Sequence, residues 1–221
     1  MRYLQICLAI FTTGFIVSCK SPYFTSVNDM RQINGIIYLK DGKEITGPLS
    51  SSLQNFGGTE SYIRFTDQNG KEGQKIYIKD IKGISVRNNY YEPKLIDMGF
   101  ASRDKMLFVK RLTRPGMRIG LYELYEQQTN SNSRGQTYNT NSYTYYVSFP
   151  GHPEYEAWNV DGKHLTPNFE DKMSEQVKDC PTLAEKIRQK EKGYFYAQIS
   201  FASEKRIETI MNIADEYEKC K

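Results

Sequence analysis

The residue of this chain best suited to covalent chemistry is Cys19, which ends an aliphatic run and is followed at once by Lys20. A cysteine thiolate is a far better nucleophile than a hydroxyl near neutral pH, so this thiol is a candidate for modification. Residues 4–17 are uncharged and rich in Leu, Ile and Phe, and they follow one basic residue, Arg2. This layout is typical of a secretory signal peptide. The run is too short for a membrane span, which needs about 20 apolar residues.

The tetrapeptide Ile16-Val17-Ser18-Cys19 resembles the bacterial lipobox. In that family the cysteine thiol receives a diacylglycerol, the peptide before it is cut, and the new amino group is acylated, for instance with palmitate. The resemblance implies a signal peptide over residues 1–18, lipidation of Cys19 and stable attachment to a membrane. Lys20 replaces the Asp that retains some lipoproteins in the inner membrane, which favours the outer membrane. The alternatives are an ordinary cleaved signal peptide and an uncleaved anchor.

The charge of the mature chain excludes one class of partner. Of 30 basic residues only Arg2 is lost with the signal peptide, so 29 remain against 26 acidic residues. That small excess makes no case for nucleic acid. About 200 mature residues suit one large domain or two small ones. The 17 tyrosines indicate a β-rich body with many half-buried aromatic side chains.

Two further cysteines form a candidate disulfide. The chain has four cysteines, of which Cys7 leaves with the signal peptide and Cys19 is assigned to the lipid. Cys180 and Cys220 remain, an even pair in an oxidising compartment, and this favours a bridge between them. The alternative is two buried free thiols.

The remaining polar residues give little support for catalysis. His152 and His164 lie beside turn residues, and neither has a second metal-type ligand at useful spacing. The pair Glu154 and Glu156 could serve glycoside hydrolysis, but a chain with 26 acidic residues contains such pairs by chance. The sequence has no phosphate-binding glycine loop, nucleophile elbow or HExxH motif. We therefore expect no enzyme activity, no catalytic residues, no metal site and no cofactor.

Residues 33–95 are predicted to form a small β domain. Alternating apolar residues and the turn dipeptides Asp41-Gly42 and Asn69-Gly70 indicate successive hairpins. Several short strands in so few residues favour a small barrel or a strongly bent sheet. The predicted strands are 33–39, 44–49, 61–66, 75–78 and 80–86.

The sequence of this region, "IIYLKDGKEITGPL" followed by "KIYIKDIKGISV", resembles the sequences of the small SH3-like or Sm-like barrels of exported bacterial proteins. The resemblance covers residues 33–87 and implies a barrel fold. Sm-type barrels can bind RNA through loop residues, but these loops have no match here, so that activity is not carried over. The whole chain also resembles exported lipoproteins of Bacteroidota-type bacteria, which implies a cell-envelope location and no particular chemistry.

A second antiparallel region is predicted over residues 96–166. The turn dipeptides Pro115-Gly116 and Asp161-Gly162 each lie between two strand-like segments. Tyr143, Tyr145 and Val147 alternate and should therefore share one face. The strands predicted here are 106–112, 118–126, 143–149, 157–160 and 163–165.

Within this region, residues 127–142, "QQTNSNSRGQTYNTNS", contain no aliphatic side chain. Such a segment buries too little apolar surface to offset its ordering entropy, so we expect a mobile loop at the tip of a hairpin. Its amides and Tyr138 suit contacts with a sugar or a protein. The alternative is a dispensable insertion.

The last part of the chain, residues 167–221, has a helical period. Asn168 is placed to cap a first helix and Pro181 to begin a second. A third helix is predicted from Ser203, where apolar residues recur every three or four positions. Residues 19–32 lack any such period and are predicted to be a tether. Together these patterns predict an α+β fold, a β-rich body made of a small barrel and a second sheet, with a C-terminal helical region.

Two functions of different classes remain. The first is a non-catalytic, lipid-anchored envelope protein that serves other envelope proteins as a scaffold or accessory subunit. The second is a protein that binds glycan or another small ligand on exposed aromatic side chains. The candidates for that platform are Tyr143, Tyr145, Tyr146 and Trp158.

Overall fold

The computed structural model describes residues 22–52, 61–66, 73–97, 104–197 and 203–220. Within these residues, eleven strands form one antiparallel sheet and three helices lie near the C-terminus. The predicted α+β fold with a β-rich body is confirmed. The strands are β1 (Tyr23–Ser26), β2 (Asp29–Leu39), β3 (Glu44–Ser52), β4 (Tyr62–Phe65), β5 (Lys75–Tyr77), β6 (Ile81–Val86), β7 (Asn89–Ile96), β8 (Lys105–Arg111), β9 (Gly120–Ser131), β10 (Thr137–Ser148) and β11 (Trp158–Asn159). The helices are α1 (Phe169–Gln176), α2 (Pro181–Arg188) and α3 (Ser203–Tyr217).

The five strands predicted between residues 33 and 86 are confirmed as β2 to β6. They run as a meander to β5, and after a 3-10 turn at Ile78–Asp80 the chain returns as β6 to pair with β2. The β2–β3 turn uses Gly42 at a φ of 87°, a conformation that a side chain would strain. The Asp41 carboxylate accepts the Lys43 N–H at 3.0 Å. The predicted turn at Asn69-Gly70 lies outside the described residues.

Strand β7 was not predicted, because Pro93 in its middle argues against a central strand. Pro93 pairs with Phe108 of β8. The N–H of Phe108 donates to the Asn28 side chain at 2.8 Å, and its carbonyl accepts from the same side chain at 2.9 Å. Both groups of Phe108 therefore point away from Pro93, which occupies a position where no N–H is needed.

β7 joins the two predicted β regions. It pairs with β6 on one side and with β8 on the other. A single sheet therefore runs from β11 to β5, in the order β11-β10-β9-β8-β7-β6-β2-β3-β4-β5 with β1 beside β2. The sequence predicted a small barrel and a second sheet, and the structure joins the two regions in one continuous sheet.

The tether predicted for residues 19–32 is wrong from Tyr23 onward. β1 pairs with β2. Val27, in the turn between the two strands, and Met30, in β2, are both buried in the core. The Asn28 side chain bonds the backbone of Phe108 in place of a neighbouring strand. The tight turn between β1 and β2 interrupts the alternation, so no period of two is visible in the sequence.

The two faces of β9 and β10 pack against two separate cores. Tyr122 and Tyr146 lie in the first core, with the N-terminal strands, whereas Leu121 and Val147 lie in the second core, with the helices. Neighbouring residues of a strand point to opposite faces, which explains the division. The predicted shared face of Tyr145 and Val147 is confirmed, since both contact the second core.

The three predicted helices are confirmed and cover the second core. α1 follows Asn168, whose backbone is left-handed with a φ of 66° and whose side chain makes no capping hydrogen bond. α2 has Pro181 in its first turn. The buried hydrophobic residues of the helices are Phe169, Met173, Leu183, Ala184, Ile187, Ile210, Ile213, Ala214 and Tyr217. None of the helices in the described part of the chain is long and apolar enough to cross a membrane.

The hairpin predicted around Asp161-Gly162 is only half right. β11 pairs with β10 at Tyr146 and Val147. Residues 163–165 form a turn instead of a returning strand, because the N–H groups of Leu165 and Thr166 both donate to the Gly162 carbonyl, at 3.0 and 2.9 Å.

Candidate functional site

The most exposed ordered element is the outer part of the β9–β10 hairpin, residues 127–142, which we call the ribbon. β9 and β10 pair without interruption from Gly120 with Ser148 to Ser131 with Thr137. The assignment of residues 127–142 to a loop is therefore wrong, because most of them lie in paired strands. The hairpin itself, predicted from the flanking segments, is confirmed.

Polar side chains replace apolar burial in holding the ribbon together. Thr129 donates to Asn139 at 2.9 Å and Asn130 donates to Thr140 at 3.0 Å, both across the two strands. Gln127 donates to Asn141 at 3.3 Å in the same way. Such cross-strand pairs contribute about 0.2–1 kcal/mol each. The loop prediction rested on the absence of aliphatic side chains and did not include these polar contacts.

The turn at the ribbon tip is fixed by one side chain. The Asn132 carboxamide oxygen accepts the N–H groups of Arg134 and Gln136, each at 3.0 Å. Gly135 has a φ of 75°, which suits glycine. An Asn that bonds the backbone two residues later is a recognised turn signal, and "NSRG" could have been interpreted in this way.

The outer edges of the ribbon lack a strand partner within the described residues. β8 pairs with β9 only at Tyr122 and Glu123, and β11 pairs with β10 only at Tyr146 and Val147. The carbonyl of Tyr145 points outward, since it accepts the Val160 N–H at 2.9 Å.

Because polar groups alternate along a strand, the outward direction extends to other odd-numbered residues of β10. The N–H and C=O groups of Tyr143, Asn141 and Asn139 therefore point outward, away from β9. They lie where a further strand could pair.

Two of the four predicted platform residues lie together on one face of this hairpin. Tyr143 is 55 % exposed, and its ring centroid lies 5.3 Å from that of Tyr125. Tyr145 is half-buried and donates to Glu123 at 3.4 Å. The Tyr125 hydroxyl donates to Asn141 at 3.0 Å. Aromatic rings and amides thus share one face.

The other two predicted platform residues, Tyr146 and Trp158, do not join this exposed aromatic face. Tyr146 is buried in the first core on the opposite face, and this burial raises the pKa of its hydroxyl to about 12. The Trp158 ring contacts the imidazoles of His152 and His164, at centroid distances of 4.5 and 4.8 Å. Its Nε1 donates to Glu156 at 2.6 Å. Because side chains alternate along a strand, the sequence itself places Tyr146 and Tyr145 on opposite faces of β10.

The two histidines contact aromatic and amide groups. The Nε2 of His152 lies 3.0 Å from the Gln176 side-chain oxygen of α1, and the His164 ring stacks on Trp158. In the described ranges, no cluster of three or more His, Cys, Asp or Glu side chains is arranged to hold a metal ion.

The predicted cysteine pair comes together. Cys180 and Cys220 lie at disulfide distance, with their Cα atoms 5.7 Å apart. Arg118 holds the end of α3 beside them, since its guanidinium donates to the carbonyls of Tyr217 and Cys220 and lies 3.8 Å from the Tyr217 ring centroid. Cys19, the predicted lipidation site, lies outside the described residues.

A buried charged network on β7, β8 and β9 was not predicted. Glu92 accepts from Arg111 at 2.5 Å through one carboxylate oxygen and from the Tyr122 hydroxyl at 2.8 Å through the other. The Lys94 ammonium donates to the Glu154 carbonyl at 2.9 Å and lies 3.7 Å from Glu92. The side chains of Arg111 and Lys94 are only 7 % and 8 % exposed.

Burial dominates the electrostatics of this network. It lowers the pKa of Lys94, although the charge of Glu92 opposes the change. It also raises the pKa of Tyr122, and the nearby Glu92 carboxylate adds to that increase. Both oxygens of Glu92 are occupied by protein donors, so the network is built to join strands. Charged residues at alternate strand positions normally predict a solvated face, so the sequence pattern did not indicate a buried network.

A groove of about 410 Å³ lies beside the β2–β3 turn. Lys40, Lys75 and Lys79 lie along it with Asp41 and Asp80, above an apolar floor. The Lys40 ammonium already contacts Glu154 and the Tyr155 hydroxyl, each at 2.8 Å. The Lys75 ammonium lies 4.5 Å from the Tyr62 ring centroid. The Lys79 ammonium lies 5.4 Å from the Tyr77 ring centroid, so all three lysines are engaged by the protein itself.

The ribbon is therefore the described element that is best placed to contact another molecule. It presents outward backbone groups along its edges, and amides and tyrosines on one face. No family model, curated protein or solved structure matches this chain.

Proposed function

We propose that this protein is a non-catalytic, lipid-anchored protein of the cell envelope that acts as a scaffold or accessory subunit. Its partners are other envelope proteins, which it binds through the ribbon. The observation that carries the proposal is the pair of strand edges along residues 127–142, with which no other strand of the described residues pairs.

Natural sheets usually protect their edges with short strands, charges or proline. The two ends of this sheet follow that rule, because β5 has three residues and includes Lys75, and β11 has two residues. The ribbon does not follow it, since β9 and β10 each have twelve residues and pair without a bulge. An exposed edge binds an extended segment of a partner through main-chain hydrogen bonds.

Shortening the ribbon should abolish partner binding and leave the fold intact. The register allows removal of residues 128–131 and 137–140, four facing pairs, while the turn at residues 132–136 is kept. These residues are mostly exposed, so we expect the melting temperature to change by no more than about 2 °C. Affinity capture from detergent-solubilised envelope, with identification of the captured proteins, measures the binding.

Tyr143→Ser is the matched control, because it removes a ring and keeps the backbone edge. It should retain the proteins that wild type captures. Equal capture by the shortened variant and by wild type would refute the proposal, and a large drop in its melting temperature would show that the ribbon supports the core.

The membrane anchor is part of the same proposal and follows from the lipobox-like residues that end at Cys19. Lys20 supports the outer membrane. A disulfide between Cys180 and Cys220 fits this location, because exported compartments are oxidising. The return of β6 onto β2 after a 3-10 turn supports the likeness of residues 33–87 to the SH3-like or Sm-like barrels.

Cys19→Ala should release the protein from the membrane or leave it as an unprocessed precursor. The substitution removes the thiol that receives the lipid, and with it the acyl chains, each buried methylene of which contributes about 0.8 kcal/mol. Metabolic labelling with a fatty-acid analogue, together with membrane fractionation, measures the effect. Cys7→Ala is the control and should keep its label. Equal labelling of the Cys19 variant and wild type would exclude lipidation at this residue.

Glycan binding is the second candidate function, and one observation favours it. Tyr125 and Tyr143 lie beside Asn141 and Gln127 on one face of the hairpin, and aromatic faces next to amides suit sugar rings. In this case Tyr143→Ser would lose binding to an array of envelope glycans. The protein-binding proposal expects that variant to behave like wild type.

A further inference from the structure

We propose that the outer edge of β10, residues 137–143, pairs with the same edge of a second copy of this chain. Two ribbons would then form one four-stranded antiparallel sheet around a two-fold axis. The inference rests on the proposed role of the ribbon in protein binding and names one partner for it.

The backbone of this edge has the outward N–H and C=O groups that a further strand needs for pairing. The outward carbonyl of Tyr145 already accepts the Val160 N–H. By alternation, Asn139, Asn141 and Tyr143 carry the next outward N–H and C=O groups. The twelve β9–β10 pairs hold the strand in a regular register without a bulge. A second extended strand can therefore bond these groups without any change in the hairpin.

The composition of the edge suits an identical partner. Residues 137–144 contain no charged side chain, so two copies can face each other without like charges in contact. Thr and Tyr, which favour strands, occupy several of these positions. The opposite edge, on β9, carries Glu126, and a two-fold pairing centred near this residue would bring two carboxylates close together. We therefore assign the contact to β10.

The exposed tyrosines lie where this contact would use them. Tyr138 and Tyr143 are each 55 % exposed, and they lie on opposite faces of the strand. Each face of the joined sheet would thus receive one tyrosine from each copy near the seam. Aromatic cross-strand neighbours stabilise such pairs. A two-fold arrangement makes every contact twice, as in most homodimers.

The test compares two substitutions at one position. Asn141→Pro removes an outward N–H, which strand edges tolerate because it faces solvent in a single copy. Asn141→Ala loses the same side-chain contacts and keeps the N–H. We expect the full-length lipidated protein to sediment as a dimer in density-matched detergent, and Asn141→Ala to do the same. Asn141→Pro should raise the dissociation constant of the dimer at least tenfold, with an unchanged far-UV circular dichroism spectrum.

A wild-type protein that sediments only as a monomer would overturn the inference, as would a dimer that Asn141→Pro leaves intact. Neither result would affect the proposed function, because capture of other envelope proteins by the ribbon is measured separately. Conversely, a dimer that depends on Asn141 would support the inference even if no other envelope protein is captured.

Discussion

Glu92→Ala should lower the free energy of unfolding by about 3–5 kcal/mol, since it leaves buried positive charges without their carboxylate. Arg111 would lose its partner at 2.5 Å and the Tyr122 hydroxyl its acceptor at 2.8 Å. Lys94 would lose the nearby carboxylate and keep its hydrogen bond to the Glu154 carbonyl. Urea denaturation followed by circular dichroism measures the difference.

The comparison needs an exposed ion pair and a second substitution in the network. Lys43→Ala removes the ion pair with Asp41 and keeps the backbone N–H that Asp41 accepts; the Lys43 side chain is 77 % exposed, so the urea midpoint should stay unchanged. In the double variant Glu92→Ala, Arg111→Met, the loss should be smaller than the sum of the two single losses, because the two residues share one contact. Equal midpoints for Glu92→Ala and Lys43→Ala would show that the network does not stabilise the fold.

Replacing both Cys180 and Cys220 by Ser should lower the melting temperature by about 8–16 °C. The cysteines are 40 residues apart, and a bridge over such a loop contributes about 4 kcal/mol in the chain-entropy model. For a chain of this size each kcal/mol corresponds to about 2–4 °C. Calorimetry of the protein purified from an oxidising compartment measures the shift.

Peptide mapping without reduction should find the two cysteine peptides joined. The doubly substituted protein is the control for reducing agent, which should lower the melting temperature of wild type and have no effect on the variant. Two thiols that can be alkylated in denatured, unreduced wild type would show that the bridge is absent.

Local patterns predicted most of the elements. The helices were recognised because buried side chains such as Met173, Leu183 and Ile210 recur at helical spacing. The strands β2 to β6 were recognised by alternation and by Asp41-Gly42. Both signals are local, since each element shows its buried face within its own residues.

Features that depend on distant partners were missed. β7 was hidden by Pro93, which is tolerated because the N–H and C=O of its partner Phe108 point away from it, toward the Asn28 side chain 80 residues away in the sequence. The Glu92 network joins three strands and resembles a solvated surface in the sequence. The ribbon was interpreted as a loop because its order comes from paired amides and hydroxyls.

Under the proposed lipid anchor at Cys19, the start of β1 at Tyr23 would limit the distance between the folded body and the membrane. Four residue steps span at most about 14 Å of extended chain. With so short a linker, the body could neither reorient freely nor extend far from the membrane surface. Partners would have to meet it at the lipid surface, where diffusion is confined to two dimensions and a weak contact between strands forms more often.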